Sequence, residues 1–207
     1  MTPITTTDRC KDVARELARR YGVMSTDNLG VLSAMLTEER YPKGATVLAE
    51  GQVCRKIYYV QRGLVRQYYM KNGKELTEHL AFEGTTLMCI ESLFKRQPTR
   101  LVIETLENAL LYGISYEELC KAADGNPEFG RFLLSVLRES LITSQVKADT
   151  LRFESTKERY ARIEQEHPEI IQRVPLNIVA SYLQMSPETL SRARSAAANA
   201  HATAEDD

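Results

Sequence analysis

Short runs of β-branched and aromatic residues, broken by glycine-centred turns, fill the first half of the chain. They fall at 45–48, 57–60, 64–70, 76–82, 101–106 and 109–114. Glycines at 44, 51, 63, 73 and 84 punctuate them at steps of 7, 12, 10 and 11 residues. Short strands with a turn about every 8–12 residues make a β-barrel or sandwich, so about eight strands are expected over roughly 40–115. Asn72-Gly73 between two such runs marks a tight hairpin, because a type I′ turn needs positive φ at both central residues. Ahead of the strands, 8–21 reads as a helix with Val13, Leu17 and Tyr21 on one face, and 28–36 as a second.

Beyond residue 126 the apolar period changes to the helical one. From Pro127 it runs through Phe129, Phe132, Leu133, Val136, Leu137, Leu141, Ala148 and Leu151, with Arg131, Arg138, Glu139, Lys147 and Asp149 largely off the stripe. A helix of about 25 residues cannot bury that whole stripe on one small barrel, so a second copy of the chain is the expected partner. The rival reading packs the helix along its own domain. A further helix over 154–166 ends before Pro168, whose ring blocks the preceding turn. An extended stretch at 173–175 then leads into two helices, 176–183 and 187 to about 197, joined at 184–186. The fold class expected is α+β, divided into 1–126 (two helices and a β-roll, that is, a jelly-roll-like barrel), a dimerisation helix over 127–153, and a helix-turn-helix domain over 154–207.

The last two helices carry the chemistry. A helix-turn-helix needs a small residue where its helices cross, and Ala180 supplies it. Val179, Leu183, Met185, Leu190 and Ala193 supply the inner faces, and Ser186 with Pro187 is a helix start. Glu188, Thr189, Ser191, Arg192 and Arg194 then fall on the outer face. Arginine grips guanine bidentately and glutamate accepts from cytosine N4 in the major groove. The plainer reading is a solvated face with an i,i+4 Glu188–Arg192 pair worth about 0.2–0.5 kcal/mol.

Composition narrows the classes. The 207 residues, 43% hydrophobic and 27% charged, suffice for a core without staples. No run approaches the ~20 apolar residues of a membrane span. The first twenty residues lack an apolar segment of the secretory kind. A cytoplasmic protein without a membrane partner is expected. Net charge is −1, which leaves room for a local positive face. Cysteines at 10, 54, 89 and 120 form no C-x-x-C pair, so reduced thiols and no metal are expected. No H-E-x-x-H, G-x-S-x-G or Walker pattern suggests an enzyme.

Over about 25–195 the sequence resembles the Crp/Fnr superfamily of bacterial transcription regulators. The resemblance rests on Y-P-K-G-A-T-V-L-A-E-G-Q (41–52), I-Y-Y-V-Q-R-G-L-V-R (57–66), I-S-Y-E-E-L (114–119), S-T-K-E-R-Y (155–160) and V-A-S-Y-L-Q-M-S-P-E-T-L-S-R (179–192). It implies a cyclic-nucleotide-binding-type β-roll, a long dimerisation helix and a C-terminal winged helix. The E-T-L-S-R core is similar to the recognition helix of the Fnr branch, which reads a TTGA-type half-site. That places base reading on Glu188, Ser191 and Arg192, with Ser186, Thr189 and Arg194 near phosphates. The implied partners are double-stranded DNA bearing an inverted repeat, a second copy of the chain, and RNA polymerase.

The chain departs from the family in several places. Members that bind cyclic AMP hold its phosphate with Gly-Glu and Arg-Ser. Here those positions read Cys89-Ile90 and Thr99-Arg100, with Glu91 one position off. If this region is strand, one position means the opposite face, so a cyclic nucleotide is disfavoured and the effector is open. Thr143-Ser144 is similar in type to the family's adenine-contacting hydroxyl pair. Of the Fnr cysteine cluster only Cys10 is present, and His79 has no partner for haem. Gln184 stands where the turn usually has glycine, at a cost of roughly 1 kcal/mol. The Ala-rich stretch after Arg194 can extend a helix but not form an apolar wing, and Glu205-Asp206-Asp207 ends it. Residues 151–195 carry seven basic and six acidic side chains, so modest, salt-sensitive DNA affinity is expected. The alternative function is a small-ligand sensor that signals through protein contacts without reading DNA.

Overall fold

A computed structural model describes the backbone of residues 6–204 and the side chains through residue 196. Two helices, α1 (Thr6–Tyr21) and α2 (Thr26–Met35), precede the strands. Ser25 caps α2 by accepting the Asn28 N–H at 3.4 Å, so the helix starts earlier than expected and gives way at Leu36 to strand. Eight strands follow among the described residues: β1 (Leu36–Tyr41), β2 (Thr46–Leu48), β3 (Lys56–Arg62), β4 (Val65–Lys71), β5 (Lys74–Ala81), β6 (Thr86–Leu87), β7 (Val102–Thr105) and β8 (Ala109–Ser115). They form two four-stranded sheets, ordered β1-β8-β3-β6 and β2-β7-β4-β5. The short helix α3 (Ile90–Lys95) interrupts the strands between β6 and β7.

β3 buries Ile57, Tyr58, Tyr59 and Val60 in succession instead of alternating. It lies inside its sheet, and α1 covers the outer face, where Glu16 meets the Tyr59 hydroxyl. Gly63 ends the strand at φ 96°, and a Cβ there would stand 2.7 Å from the Asn108 carbonyl oxygen, so only glycine fits. Asn72 and Gly73, at φ 53° and 73°, make the expected hairpin between β4 and β5.

After the roll come α4 (Tyr116–Gly125) and the 27-residue α5 (Pro127–Phe153). Only the first half of the α5 stripe is covered. Phe129, Phe132 and Val136 are buried in the roll's core, Leu133 and Leu137 pack against it, and Leu141 is 67% exposed. Leu134, Ile142, Val146 and Phe153 are exposed as well.

Four helices complete the described chain: α6 (Thr156–Glu166), α7 (Pro168–Arg173), α8 (Leu176–Tyr182) and α9 (Pro187–Ala204). Ser155 and Glu158 form a reciprocal capping box at the start of α6. Pro168 opens α7 as well as closing α6, because its fixed φ suits the first turn and its missing N–H is not needed there. The extended stretch is therefore Val174-Pro175, with Arg173 ending a helix. The acidic residues 205–207 lie outside the described residues. The chain separates into two compact units, one running to Gln67 with Leu80–Ile142, the other combining Tyr68–His79 with the chain from Thr143. Among the described residues no helix is long and apolar enough to cross a membrane.

Candidate nucleic-acid interface and β-roll site

The turn between α8 and α9 is a closed hydrogen-bonded unit. Leu183 caps α8, and Gln184 adopts the left-handed conformation at φ 52°. The Met185 N–H then donates to Ala180 O at 3.0 Å and the Gln184 N–H to Ser181 O at 3.1 Å, which is the Schellman pattern. Arg159, from the S-T-K-E-R-Y segment, donates through Nη1 to Leu183 O at 2.8 Å. That occupies another of the carbonyls the helix end leaves open. Val179, Ala180, Leu183 and Leu190 are buried and Met185 and Ala193 half-buried, as the inner-face reading requires.

Ser186 then starts α9, accepting the Thr189 N–H at 3.2 Å. Its hydroxyl also bonds Glu188, and this, with the Glu188 backbone N–H and the Arg192 charge, holds the Glu188 carboxyl below the usual carboxylate range. Ser186, Glu188, Ser191, Arg192 and Arg194 are exposed and Thr189 half-buried. Arg192 Nη2 reaches Thr189 Oγ1 at 3.4 Å, and no Glu188–Arg192 ion pair forms. Anchored by Leu190, with no exposure, this turn presents one acidic and two basic side chains to solvent.

In the same unit the tip of the β4–β5 hairpin is tied to α8, which the sequence did not disclose. The Thr77 N–H donates to Ser181 Oγ at 2.9 Å, and that hydroxyl donates to Glu75 O at 2.9 Å. Lys147 lies 4.8 Å above the Tyr182 ring, donates to the Glu78 carbonyl, and stands 3.5 Å from the Glu78 carboxylate. Burial pulls the Lys147 ammonium below its ordinary pKa, against the pull of Glu78. His79, enclosed beside Lys147, is pushed down to about 4 by burial and by that charge.

The β-roll positions divide differently. Cys89 and Thr99 are buried and hydrogen-bonded to each other, and Gln67 donates to Cys89 Sγ at 3.6 Å. The Cys54 thiol completes this cluster beside Cys89. Ile90 and Arg100 are exposed, and Glu91 pairs with Lys95 at 2.8 Å. The strand argument is corrected here, because Cys89 caps α3 and 90–91 begin it, while Thr99-Arg100 lies in a loop before β7. A helix start turns successive side chains by about 100° instead of across a sheet. A cyclic phosphate needs a guanidinium and backbone donors, and its ribose needs a carboxylate. The inward side chains at these positions are neutral, and the buried Arg66 guanidinium is committed to Glu104 at 2.6 Å. These residues do not fit a cyclic nucleotide. Thr143 and Ser144 are exposed on α5, in the other unit.

Residues 38–126 match the cyclic nucleotide-binding domain family. Three solved structures are similar to most of the chain. FixK2 from Bradyrhizobium japonicum is 21% identical, with TM-score 0.67 over 80% of this chain and 86% of that one. The c-di-GMP-responsive global regulator CLP of Xanthomonas campestris is 21% identical, with TM-score 0.63 over 81% and 89%. A protein from Eubacterium rectale, described as a transcriptional regulator of the Crp/Fnr family, is 16% identical, with TM-score 0.63 over 82% of each chain. No curated protein matches the sequence. Residues 38–126 thus resemble the cyclic nucleotide-binding domain family, and the chain has the mixed helix-and-sheet fold seen in Crp/Fnr regulators.

Proposed function

We propose that this chain is a sequence-specific DNA-binding transcription regulator of the Crp/Fnr type, working as a homodimer on an inverted-repeat site. In this reading 1–126 is the sensory part, 127–153 the dimerisation helix and 154–207 the DNA-reading part. The observation that carries it is the exposed Glu188, Ser191 and Arg192 on the first turns of α9, on a helix start fixed by Ser186 and Leu190. Glu188 and Arg192 form no ion pair with each other, and their contacts with Ser186 and Thr189 lie at the exposed surface, where base edges can replace them. Ser186, Thr189 and Arg194 flank them toward phosphates. Leu134, Leu141, Ile142, Val146 and Phe153 recur along α5 at helical spacing and supply the apolar seam for a second copy. Two α9 helices related by a two-fold axis read half-sites about one helical turn apart. Contact with RNA polymerase and operation in the cytoplasm belong to the same reading. A cyclic nucleotide is disfavoured as the effector, and the effector is left open.

Selection of bound duplexes from a random pool, followed by gel shift, tests this. An enriched inverted repeat is expected, and Arg192→Ala should lose about 1–3 kcal/mol of discrimination per half-site. Unchanged discrimination in that variant would falsify the assignment of Arg192. Ile142→Glu should convert a dimer into a monomer in sedimentation, and a wild-type monomer would remove the inverted-repeat geometry. No duplex binding even at low salt would favour the rival reading, a sensor whose output is protein contact.

A further inference from the structure

We propose that Asn72 is a self-modification site, where the exposed tip of the β4–β5 hairpin converts in water, without an enzyme, to isoaspartate and aspartate. The chain holds six asparagines, and Asn72 is the one followed by glycine; Leu29, Ala109, Pro127, Ile178 and Ala200 follow the others. The fold separates them as well. Asn28 donates to Glu128 at 2.6 Å and accepts from Asn126 at 2.9 Å, while Asn126 Oδ1 also accepts the Glu128 N–H at 2.9 Å. Asn108 Oδ1 accepts the Lys43 N–H at 2.9 Å. Asn177 is exposed but lies within α8. Asn72 is exposed in a turn, and its side chain makes no hydrogen bond among the described residues.

Electrophile and nucleophile are neighbours in this turn. The electrophile is the Asn72 Cγ, and the nucleophile is the Gly73 nitrogen. A Cβ placed on Gly73 would meet nothing within 4 Å, so neither a side chain nor a packed neighbour hinders that nitrogen. In a two-residue hairpin the closing bond joins the flanking residues, here Lys71 and Lys74, and the Gly73 N–H is not needed by the ladder. Both lysines are exposed, and their charge favours the anion through which the nitrogen attacks. Hydroxide takes the Gly73 amide proton, and the nitrogen attacks Cγ. A C–N bond forms, the Cγ–Nδ2 bond breaks, and ammonia leaves with a proton from water. Water then opens the five-membered imide. Cleavage at the main-chain carbonyl of residue 72 gives isoaspartate, and cleavage at Cγ gives aspartate. In sum, an amide and a water give an acid and ammonia, and nothing is oxidised or reduced.

The consequence falls on α8. Glu75 and Thr77, just beyond the turn, bond Ser181 through a carbonyl and an N–H, each at 2.9 Å. Isoaspartate routes the main chain through Cγ and adds a carbon to a two-residue turn whose twist matches its strands. The register of β5 is pinned by that turn, so the bonds to Ser181 are the nearest tertiary contacts to be disturbed. Aspartate adds the charge but keeps the turn. The inference rests on turn geometry and amide chemistry, and stands whether or not the chain reads DNA.

The test incubates the full chain at pH 8, folded and in parallel in urea, and maps its peptides by mass and chromatography. In the folded chain the peptide spanning Asn72 is expected to split into two acidic products of equal mass. Conversion should be about tenfold faster than at Asn177, where β-branched Ile178 crowds the attacking nitrogen. Enzymatic methylation of isoaspartyl carboxyls should label one of the two products, and Asn72→Gln should remove both. The isoaspartate form, separated by ion exchange, should melt below the starting chain, whereas Asn72→Asp should melt with it, since Asp-Gly suits the same turn. The proposal is overturned if only the urea-unfolded chain converts Asn72, or if Asn108 or Asn177 converts first. An isoaspartate form that melts with the starting chain would overturn the link to Ser181. The wild-type map decides even where a variant fails to fold.

Discussion

The two candidate sites differ in what their polar side chains do in the free chain. On α9, Glu188, Ser191, Arg192 and Arg194 face solvent, and their helix is fixed by contacts on its other side. Around Cys89 the polar groups are spent on one another: Gln67 and Thr99 on Cys89, Ser92 on the Cys54 backbone, Arg66 on Glu104. An exposed, anchored set can exchange water for a partner at little cost. A closed, satisfied set must break its own hydrogen bonds before it accepts a ligand, and each buried group left unpaired costs about 1–3 kcal/mol. The first arrangement suits recognition of a large polar surface. The second suits a packed interior.

The strongest way to break this contrast is to remove the anchor rather than the reading side chains. Leu190→Ala deletes a side chain with no exposure and should cost about 2–5 kcal/mol. Thermal unfolding followed by circular dichroism should show the loss, and DNA affinity should fall alike for every sequence. Arg192→Ala should do the reverse, leaving stability within about 0.5 kcal/mol while removing discrimination. If both variants lose discrimination at unchanged stability, α9 is not held by Leu190.

The difference between the sites also marks what could be read along the chain. The helix-turn-helix was legible because its determinants are local: Ser186-Pro187 starts one helix, and Ala180, Leu183 and Leu190 follow its period. Asn72-Gly73 announced its hairpin for the same reason. The thiol cluster was not legible, since Cys54, Gln67, Cys89 and Thr99 are far apart in sequence and meet only through β4, α3 and two loops. The face of Glu91 was misjudged because periodicity does not separate a six-residue helix from a short strand, and α7 was missed for that reason too. Ser181 and Lys147 gave no signal, as their partners on the β4–β5 hairpin are chiefly backbone carbonyls and amides.

That hairpin contact makes the helical unit sensitive to acid. The ordinary histidine pKa is 6.5, and folded His79 stays neutral down to about 4. Between those values the unfolded chain holds the extra proton, so stability falls as pH drops from about 6.5 to about 4. His79 as a whole residue is only half-buried, so the loss is set at about 2 kcal/mol. Urea unfolding at pH 7.5 and pH 4.5 should show it, and His79→Gln should flatten the difference between the two. An equal slope in wild type and variant would assign the acid sensitivity to carboxylates instead.

The smallest effect concerns the turn itself and separates anchoring from reading most finely. Gln184 holds φ 52°, where a Cβ costs roughly 1–2 kcal/mol, and its exposed side chain makes no compensating bond. Gln184→Gly removes that cost and adds about 0.5–1 kcal/mol of unfolded-chain entropy, so a net gain of about 0.5–1 kcal/mol is expected. Gln184→Ala keeps the Cβ and should be near neutral, which makes the pair of variants diagnostic of backbone strain. Equal stabilities for the two would show that the Schellman bonds from Met185 and Gln184 already relieve it. DNA discrimination should be unchanged in both, because Gln184 lies before Ser186 and off the outer face of α9. A change there would mean that the turn sets the angle at which Glu188 and Arg192 are presented, and that anchoring and reading are one function instead of two.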